Sequence, residues 1–228
     1  MTRLFAFGCS FTNYRWSTWA DALAPEFDSF ENWGQAGGGN HYIFNSIMEA
    51  HQRYRFGPND TVIVCWTTHL REDRYIKNRW ITPGSIMSAT VYDPKFLTTH
   101  CDERGSVIHD MAFIKSVKVL LESCENLNWK FMSLNTRTQP YHDGPNDVLD
   151  LYKDVLDCFL PSFEQVLHPT GWPPREDPHP SPAEHLAYLD VVLPGWVTKE
   201  STRVIMHEES INLNKDPRKS GMTKVTRL

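Results

Sequence analysis

The sequence contains no apolar run that approaches the roughly 18 residues needed to cross a bilayer, so we expect no membrane span. It starts with a short apolar segment and lacks the pattern of a secretory signal peptide. Its five cysteines are odd in number and include no CxxC pair, which is typical of reduced thiols. We therefore predict a cytoplasmic protein. The alternative is a component of a larger particle such as a virion.

The chain also lacks an excess of basic charge, since 23 Lys and Arg residues face 28 Asp and Glu residues for a net charge of −5. Without a basic field, nucleic acid is not an expected partner. No glycine pattern matches a phosphate-binding loop, and His185 stands six residues after His179, off the i, i+4 spacing of a helical metal site. We assign no cofactor and no metal.

What the sequence does contain is a short apolar run at its start, Leu4 to Phe7, which ends at Gly8 and predicts a buried strand. Ser10 and Thr12 are placed to cap a following helix, whose apolar positions recur between Trp16 and Leu23. A serine lifted off the carboxyl end of a central strand toward a helix N-terminus is well placed for a nucleophile. The alternative interpretation of Ser10 is a simple helix cap.

A second polar segment lies near the other end of the chain, where His179 stands between Pro178 and Pro180. Two prolines hold this backbone extended, so the imidazole is positioned by stiff geometry. Asp177 lies two residues earlier and projects to the same side of an extended segment. The sequence thus offers a nucleophile, a base and an orienting carboxylate. Glu176 is the alternative orienter.

Between these ends, short apolar runs alternate with helical patterns. The run from Thr61 to Trp66 is continuous and predicts an interior strand, whereas Asn40 starts an amphipathic helix after three consecutive glycines. Strands separated by helices predict a parallel sheet whose ligands bind at the carboxyl ends of the strands. Ser10, Gly37 and the residues from Thr67 to His69 should all emerge at that edge.

We expect one domain over residues 1–197, with an insertion at about 75–105 that folds over the site. Residues 198–228 are expected to form a C-terminal helix and a polar, basic tail suited to oligomer or assembly contacts.

Three blocks of this sequence resemble those of the SGNH or GDSL hydrolases. They are GCSF at 8–11, NWGQAGGGN at 32–40 and DPHPS at 177–181. The resemblance implies a three-layer α/β/α fold with a central, mostly parallel sheet of the flavodoxin-like type. By position, it gives Ser10 the role of nucleophile, the amide of Gly37 that of an oxyanion donor and His179 that of the base.

The chain departs from the family pattern in three places. Cys9 replaces the usual aspartate beside the serine, and the usual aspartate three residues before the histidine is Glu176 here. The GxND block is absent: Thr67, Thr68 and His69 follow the Thr61 to Trp66 strand. The hydroxyl of Thr68 or the amide of Asn40 is then expected to replace the missing oxyanion donor.

The resemblance implies a serine esterase that hydrolyses a short acyl ester, such as an acetyl ester on a carbohydrate, through an acyl-serine intermediate. One alternative is a carbohydrate O-acetyltransferase that uses the same residues. Another is a weak or inactive hydrolase fold that acts as a structural or binding module of a larger assembly. A small-molecule or carbohydrate ester is the expected partner.

Overall fold

The computed structural model describes residues 1–86, 92–135, 146–172, 174 and 176–215. Its strands are β1 (Arg3–Gly8), β2 (Ser29–Gly34), β3 (Asp60–Trp66), β4 (Arg74–Ile76), β5 (Arg79–Ile81) and β6 (Asn128–Ser133). Its α-helices are α1 (Trp19–Leu23), α2 (Asn40–Tyr54), α3 (Pro94–His100), α4 (Glu103–Ser123), α5 (Asn146–Leu151), α6 (Lys153–Leu156), α7 (Phe163–Leu167), α8 (Pro182–Val192) and α9 (Glu200–Lys215).

The central sheet has four parallel strands in the order β2-β1-β3-β6. Strand β1 lies inside the sheet, with Phe5 opposite Glu31 of β2 and Val62 of β3. Residues of β1 and β3 are apolar on both faces because both faces are covered by helices. The predicted fold class, a parallel sheet between helical layers, is confirmed.

Alternation along β1 divides the core into two clusters. Phe5 and Phe7 pack against α2, α4, α5 and α6 on one face, while Leu4 and Ala6 pack against α1, α7, α8 and α9 on the other. The sheet therefore separates two helical layers, and the loops after β1, β2 and β3 share one edge.

The prediction of a helix directly after Ser10 is wrong. Thr12 N and Asn13 N both donate to Cys9 O, so a hydrogen-bonded turn follows the strand. The helix begins at Trp19, where Thr18 and Asp21 form a capping box. Ser10 and Thr12 therefore cap nothing, and a loop of residues 13–18 separates the serine from the helix.

Helix α9 is packed on the core rather than extended away from it. Met206 is buried in the cluster that contains Leu4, and Ser210 Oγ accepts a hydrogen bond from Ala183 N of α8. The division into 1–197 and 198–228 stays a prediction, and the basic tail from 216 onward lies outside the described residues. No helix among the described residues is long and apolar enough to cross a membrane.

Candidate active site

Ser10 reaches the site on the turn that follows β1. A Cβ at Gly8 would lie 2.1 Å from Thr12 Oγ1, so only glycine lets this turn fold back so tightly on the strand end. The serine is 4% exposed and sits at the carboxyl edge of the sheet. Strand and turn together fix its side chain at the edge where ligands bind in parallel sheets.

The structure brings Ser10, His179 and Asp177 into one chain of hydrogen bonds. Ser10 Oγ lies 2.8 Å from His179 Nε2, and His179 Nδ1 lies 2.6 Å from Asp177 Oδ1. A carboxylate only accepts hydrogen bonds, so Nδ1 carries the proton and Nε2 is left to accept from the serine hydroxyl. This arrangement can deprotonate a nucleophilic serine.

His179 is placed by the segment that leads into α8. Ser181 caps this helix through a capping box with Glu184, and Pro182 occupies its first turn. The carbonyl of Pro180 accepts a hydrogen bond of 2.8 Å from Trp16 Nε1, which ties the segment to the loop after Ser10. The imidazole therefore rests on a helix cap and a cross-chain hydrogen bond.

Asp177, and not Glu176, is hydrogen-bonded to the imidazole. Its Oδ1 accepts from both the backbone N and the Nδ1 of His179, at 3.0 and 2.6 Å. Its Oδ2 accepts from Tyr14 Oη at 2.8 Å and from Arg15 Nη2 at 2.6 Å. Glu176 is exposed. Four donors leave Asp177 firmly held.

Tyr14 also stacks on the base, since its ring centroid lies 4.0 Å from that of His179 with 18° between the planes. The ring of Phe11 is tilted against the same imidazole, with the ring centroids 5.6 Å apart. Aromatic rings favour a cation near their faces, so this packing suits an imidazole that becomes charged during a reaction.

The surroundings of His179 favour its neutral form. Burial lowers the pKa of His179 from its ordinary value of 6.5, against the raising effect of Asp177. Burial opposes ionisation of Asp177, but hydrogen bonds from His179 and Tyr14 outweigh it and lower the pKa of that carboxyl. Burial, helped by the bond to Asp177, raises the pKa of Tyr14 to about 12, so the phenol keeps the proton that it donates.

Two backbone amides among the sequence-predicted site residues make no hydrogen bond as donors to any residue that the structure describes. Within the described part of the chain, the N–H groups of Ser10 and Gly37 donate to no acceptor. Gly37 has a φ of +74°, and a Cβ there would lie 2.2 Å from Thr82 O. This glycine is therefore held in a left-handed conformation against the backbone of Thr82, just before α2.

The side-chain amide of Asn40, an expected oxyanion donor, is engaged in hydrogen bonds. Its Nδ2 donates to Thr67 O and to Asp110, and its Oδ1 accepts from Thr67 N at 2.9 Å. The side chain joins the start of α2 to the end of β3, and its amide hydrogens are occupied. Gly39 holds the N-cap position of α2.

Thr68 stands at the end of β3 as expected. Its Oγ1 accepts from Leu70 N at 3.2 Å, so the hydroxyl hydrogen is what it can still donate. Among the described residues, no group of three or more His, Cys, Asp or Glu side chains is arranged to hold a metal ion. All five cysteines are free thiols, with Cys9 and Cys65 buried.

Sequence reasoning missed Tyr14 and Arg15. Both lie in the segment expected to be helical, where they would have been ordinary surface residues with no sign of a role in the site. The one available signal was their proximity in sequence to Ser10, because a loop beside a nucleophile commonly carries residues that line the site.

Comparison with known proteins gives similarity in fold. No protein-family model and no curated protein sequence matches the chain. Among solved structures, it is similar to a member of the lipolytic protein G-D-S-L family from Veillonella parvula, with 14% identity, 85% of this chain and 98% of that chain covered, and a TM-score of 0.46.

Two further solved structures are similar over much of their length. One is a psychrotrophic esterase, EstA, from Pseudoalteromonas sp., with 11% identity, 87% and 100% coverage and a TM-score of 0.45. The other is LAE5, an alpha/beta hydrolase enzyme from the metagenome of Lake Arreo, with 14% identity, 85% and 95% coverage and a TM-score of 0.46. Because one fold can host unrelated activities, function has to be inferred from the site itself.

Proposed function

We propose that this chain is a serine esterase that cleaves a short-chain acyl ester through an acyl-serine intermediate. The observation that carries the proposal is the continuous contact from Ser10 Oγ to His179 Nε2, at 2.8 Å, and from His179 Nδ1 to Asp177 Oδ1, at 2.6 Å. These are the distances that a nucleophile, a base and its orienter need.

In the first step, Ser10 Oγ attacks the ester carbonyl carbon while His179 Nε2 takes the hydroxyl proton. The carbonyl oxygen becomes an oxyanion, for which the amides of Ser10 and Gly37 are the available donors. Collapse of this intermediate breaks the bond to the alcohol, and His179 returns the proton to the departing oxygen. Asp177 stays ionised and holds the charged imidazole.

In the second step, water attacks the acyl-serine, gives its proton to His179 and releases the acid. The serine regains its proton from the imidazole, so the enzyme ends as it began. The alcohol proposed for this ester is a carbohydrate hydroxyl. Transfer of the acyl group to another sugar hydroxyl needs the same residues and differs only in which hydroxyl attacks the acyl-serine.

The number of oxyanion donors determines the rate of ester turnover that we expect. Loss of one such donor lowers the rate by about 10²- to 10³-fold in enzymes of this type. The chain lacks the GxND block, and the amide of Asn40 is engaged by Thr67 and Asp110. We therefore expect slow turnover of generic esters, with Thr68 as the side chain still able to assist.

The test combines turnover with labelling. Wild type should hydrolyse p-nitrophenyl acetate, and Ser10→Ala and His179→Ala should each lose the activity. A fluorophosphonate probe should label wild type at Ser10 and leave Ser10→Ala unlabelled. Equal rates in all three proteins, or no label on wild type, would reject the esterase and favour a binding or structural role. Product analysis with a sugar present separates hydrolysis from transfer.

A further inference from the structure

A cavity of about 440 Å³ opens at the carboxyl end of β3, outside the hydrogen-bonded chain of the triad. It lies between the loop from His69 to Asp73, the first half of α4 and His41 of α2. Ligand pockets commonly enclose roughly 300–1,000 Å³, so this cavity is large enough for a small molecule. Neither Ser10 nor His179 lines it.

Arg71 connects the cavity with the proposed reaction centre. It lines the cavity, and its Nη1 donates to Gly38 O at 3.0 Å, directly beside Gly37. The positive charge of Arg71 also acts on His179, whose pKa it helps to lower after the larger effect of burial. An ester held at Ser10 with its oxygen toward Gly37 can therefore extend one substituent past Arg71 into this cavity.

The cavity walls exclude a long alkyl chain. Only Ile86 and Phe113 supply large apolar side chains, whereas most of the lining residues have polar side chains. Asp73 and Asp110 are buried there, at 4% and 7% exposure. Covering the exposed polar side chains of the lining, such as Asp102 and His109, with hydrocarbon would be unfavourable because they would lose contact with water and gain no polar partner.

The walls instead offer donors and acceptors side by side. Arg71 donates, carboxylates accept, and the imidazoles of His41 and His109 can do either. Hydroxyl groups match this mixture because each both donates and accepts. The His41 ring is stacked on Phe113, with centroids 5.4 Å apart and 8° between the planes, so the two rings stabilise this wall of the cavity.

Charge argues against ionic ligands. The carboxylates of the lining repel an anion, and the charge of Arg71 together with the hydrogen bonds that Asp73 and Asp110 already accept weakens the attraction for a cation. Asp73 accepts from the backbone amides of Gly39 and Tyr42, so part of the negative charge is already compensated. A neutral, polyhydroxylated group fits both constraints.

We propose that this cavity is the alcohol subsite and that it binds a neutral polyhydroxylated alcohol, a sugar residue, whose acyl ester Ser10 cleaves. The proposal rests on the proposed esterase function. His109 and His41 are exposed on the cavity wall, so they can be replaced without opening the core. His207 on α9 is also exposed and lies away from the cavity, which makes it a matched control.

The first measurement is binding without turnover. Methyl α-glucopyranoside is titrated into Ser10→Ala and followed by saturation-transfer NMR, with choline and hexanol as the charged and apolar comparisons. We expect the glycoside to bind, and the added His109→Ala change to weaken binding about tenfold, the worth of one or two hydrogen bonds. The added His207→Ala change should have no effect. Absent glycoside binding, or tighter binding of choline or hexanol, would overturn the subsite.

The second measurement is a ratio of rates, kcat/KM for acetylated methyl α-glucopyranoside over kcat/KM for p-nitrophenyl acetate. His109→Ala and His41→Ala should each lower the ratio about tenfold, and His207→Ala should leave it unchanged. If wild type binds the glycoside but cleaves neither ester, the esterase is wrong and the cavity is a sugar-binding site rather than the alcohol subsite of an ester. If it cleaves p-nitrophenyl acetate and the ratio is the same in all variants, the subsite alone is wrong.

Discussion

The ring of Tyr14 lies nearly parallel to the imidazole of His179, with centroids 4.0 Å apart, while its hydroxyl donates to Asp177 at 2.8 Å. One side chain thus contacts two members of the triad in two different ways. The stacked ring limits rotation of the imidazole, and the hydroxyl fixes the carboxylate that orients it. These two contributions can be separated by substitution.

Tyr14→Phe removes the hydroxyl and keeps the ring. We expect kcat on p-nitrophenyl acetate to fall about fivefold, because one hydrogen bond is worth about 1 kcal/mol. Tyr14→Leu also removes the stacking, worth about another 1 kcal/mol, and should lower kcat about 30-fold in total. Equal losses in the two variants would mean that the ring contributes nothing beyond its hydroxyl.

Asp177→Asn should lower kcat by about 10³- to 10⁴-fold, since an amide cannot hold the imidazole in the tautomer that leaves Nε2 free to accept a proton. Glu176→Gln is the matched control, because this carboxyl is exposed and lies next in sequence. It should change kcat less than twofold. A large loss in Glu176→Gln with a small one in Asp177→Asn would exchange the roles of the two carboxylates.

The pH dependence follows from the direction of the His179 shift. Burial lowers the pKa of His179 below 6.5, so the base is neutral at pH 7 and kcat/KM should fall only on the acid side of that value. Arg15 adds to the lowering. Arg15→Gln removes this charge, raises the pKa and should move the acid limb of the profile to higher pH.

The control for Arg15 is Arg53→Gln, which removes an exposed arginine paired with Glu49 on α2. Its profile should coincide with that of wild type. A downward shift in Arg15→Gln, or the same shift in both variants, would contradict a specific effect of Arg15 on the base.

Gly37→Ala tests the glycine that offers an oxyanion amide. Alanine at a φ of +74° costs about 1–2 kcal/mol, and its Cβ would lie 2.2 Å from Thr82 O. The amide must therefore move. We expect kcat to fall at least tenfold because the displaced amide would no longer donate to the oxyanion. Gly57→Ala, where the nearest atom to the new Cβ is 3.9 Å away, should retain activity. Full activity in Gly37→Ala would remove Gly37 from the site.

Asn40→Ala should act on stability. It deletes hydrogen bonds to both backbone groups of Thr67 and to buried Asp110, and we expect a loss of about 2–3 kcal/mol in the free energy of unfolding. In a chain of this size, the melting temperature should fall by about 5–10 °C. Asn45→Ala on the same helix removes only an exposed bond to His41 O and should change it little. A selective rate loss at unchanged stability would restore Asn40 as an oxyanion donor.

The local parts of this molecule could be predicted from sequence. A short apolar run before Gly8 and two prolines around His179 determine backbone conformation within a few residues, so strand, turn and extended segment follow from pattern. The parallel sheet then brings their ends together. Sequence spacing could not decide whether Asp177 or Glu176 contacts the imidazole of His179. The two neighbouring side chains point in different directions, and only the folded backbone determines which of them faces the histidine.

The contacts that sequence reasoning missed join distant segments. Tyr14 reaches Asp177 across 163 positions, and Asn40 reaches Thr67 and Asp110 across 27 and 70. No local pattern records such partners. The helical spacing of Trp16 and Trp19 was misleading for the same reason, because Trp16 is held by the carbonyl of Pro180 rather than by a helix.

Contacts between distant segments have a consequence for the folding of the chain during its synthesis. Both carboxylate oxygens of Glu209 accept from Ser17 N at 3.2 Å, at the base of the loop that carries Tyr14 and Arg15. Ser17 and Glu209, which are 192 positions apart in the sequence, thus meet in the folded chain. Ser10 leaves the ribosome 169 residues before His179, so a nascent chain whose synthesis has not yet reached His179 should be unable to attack esters.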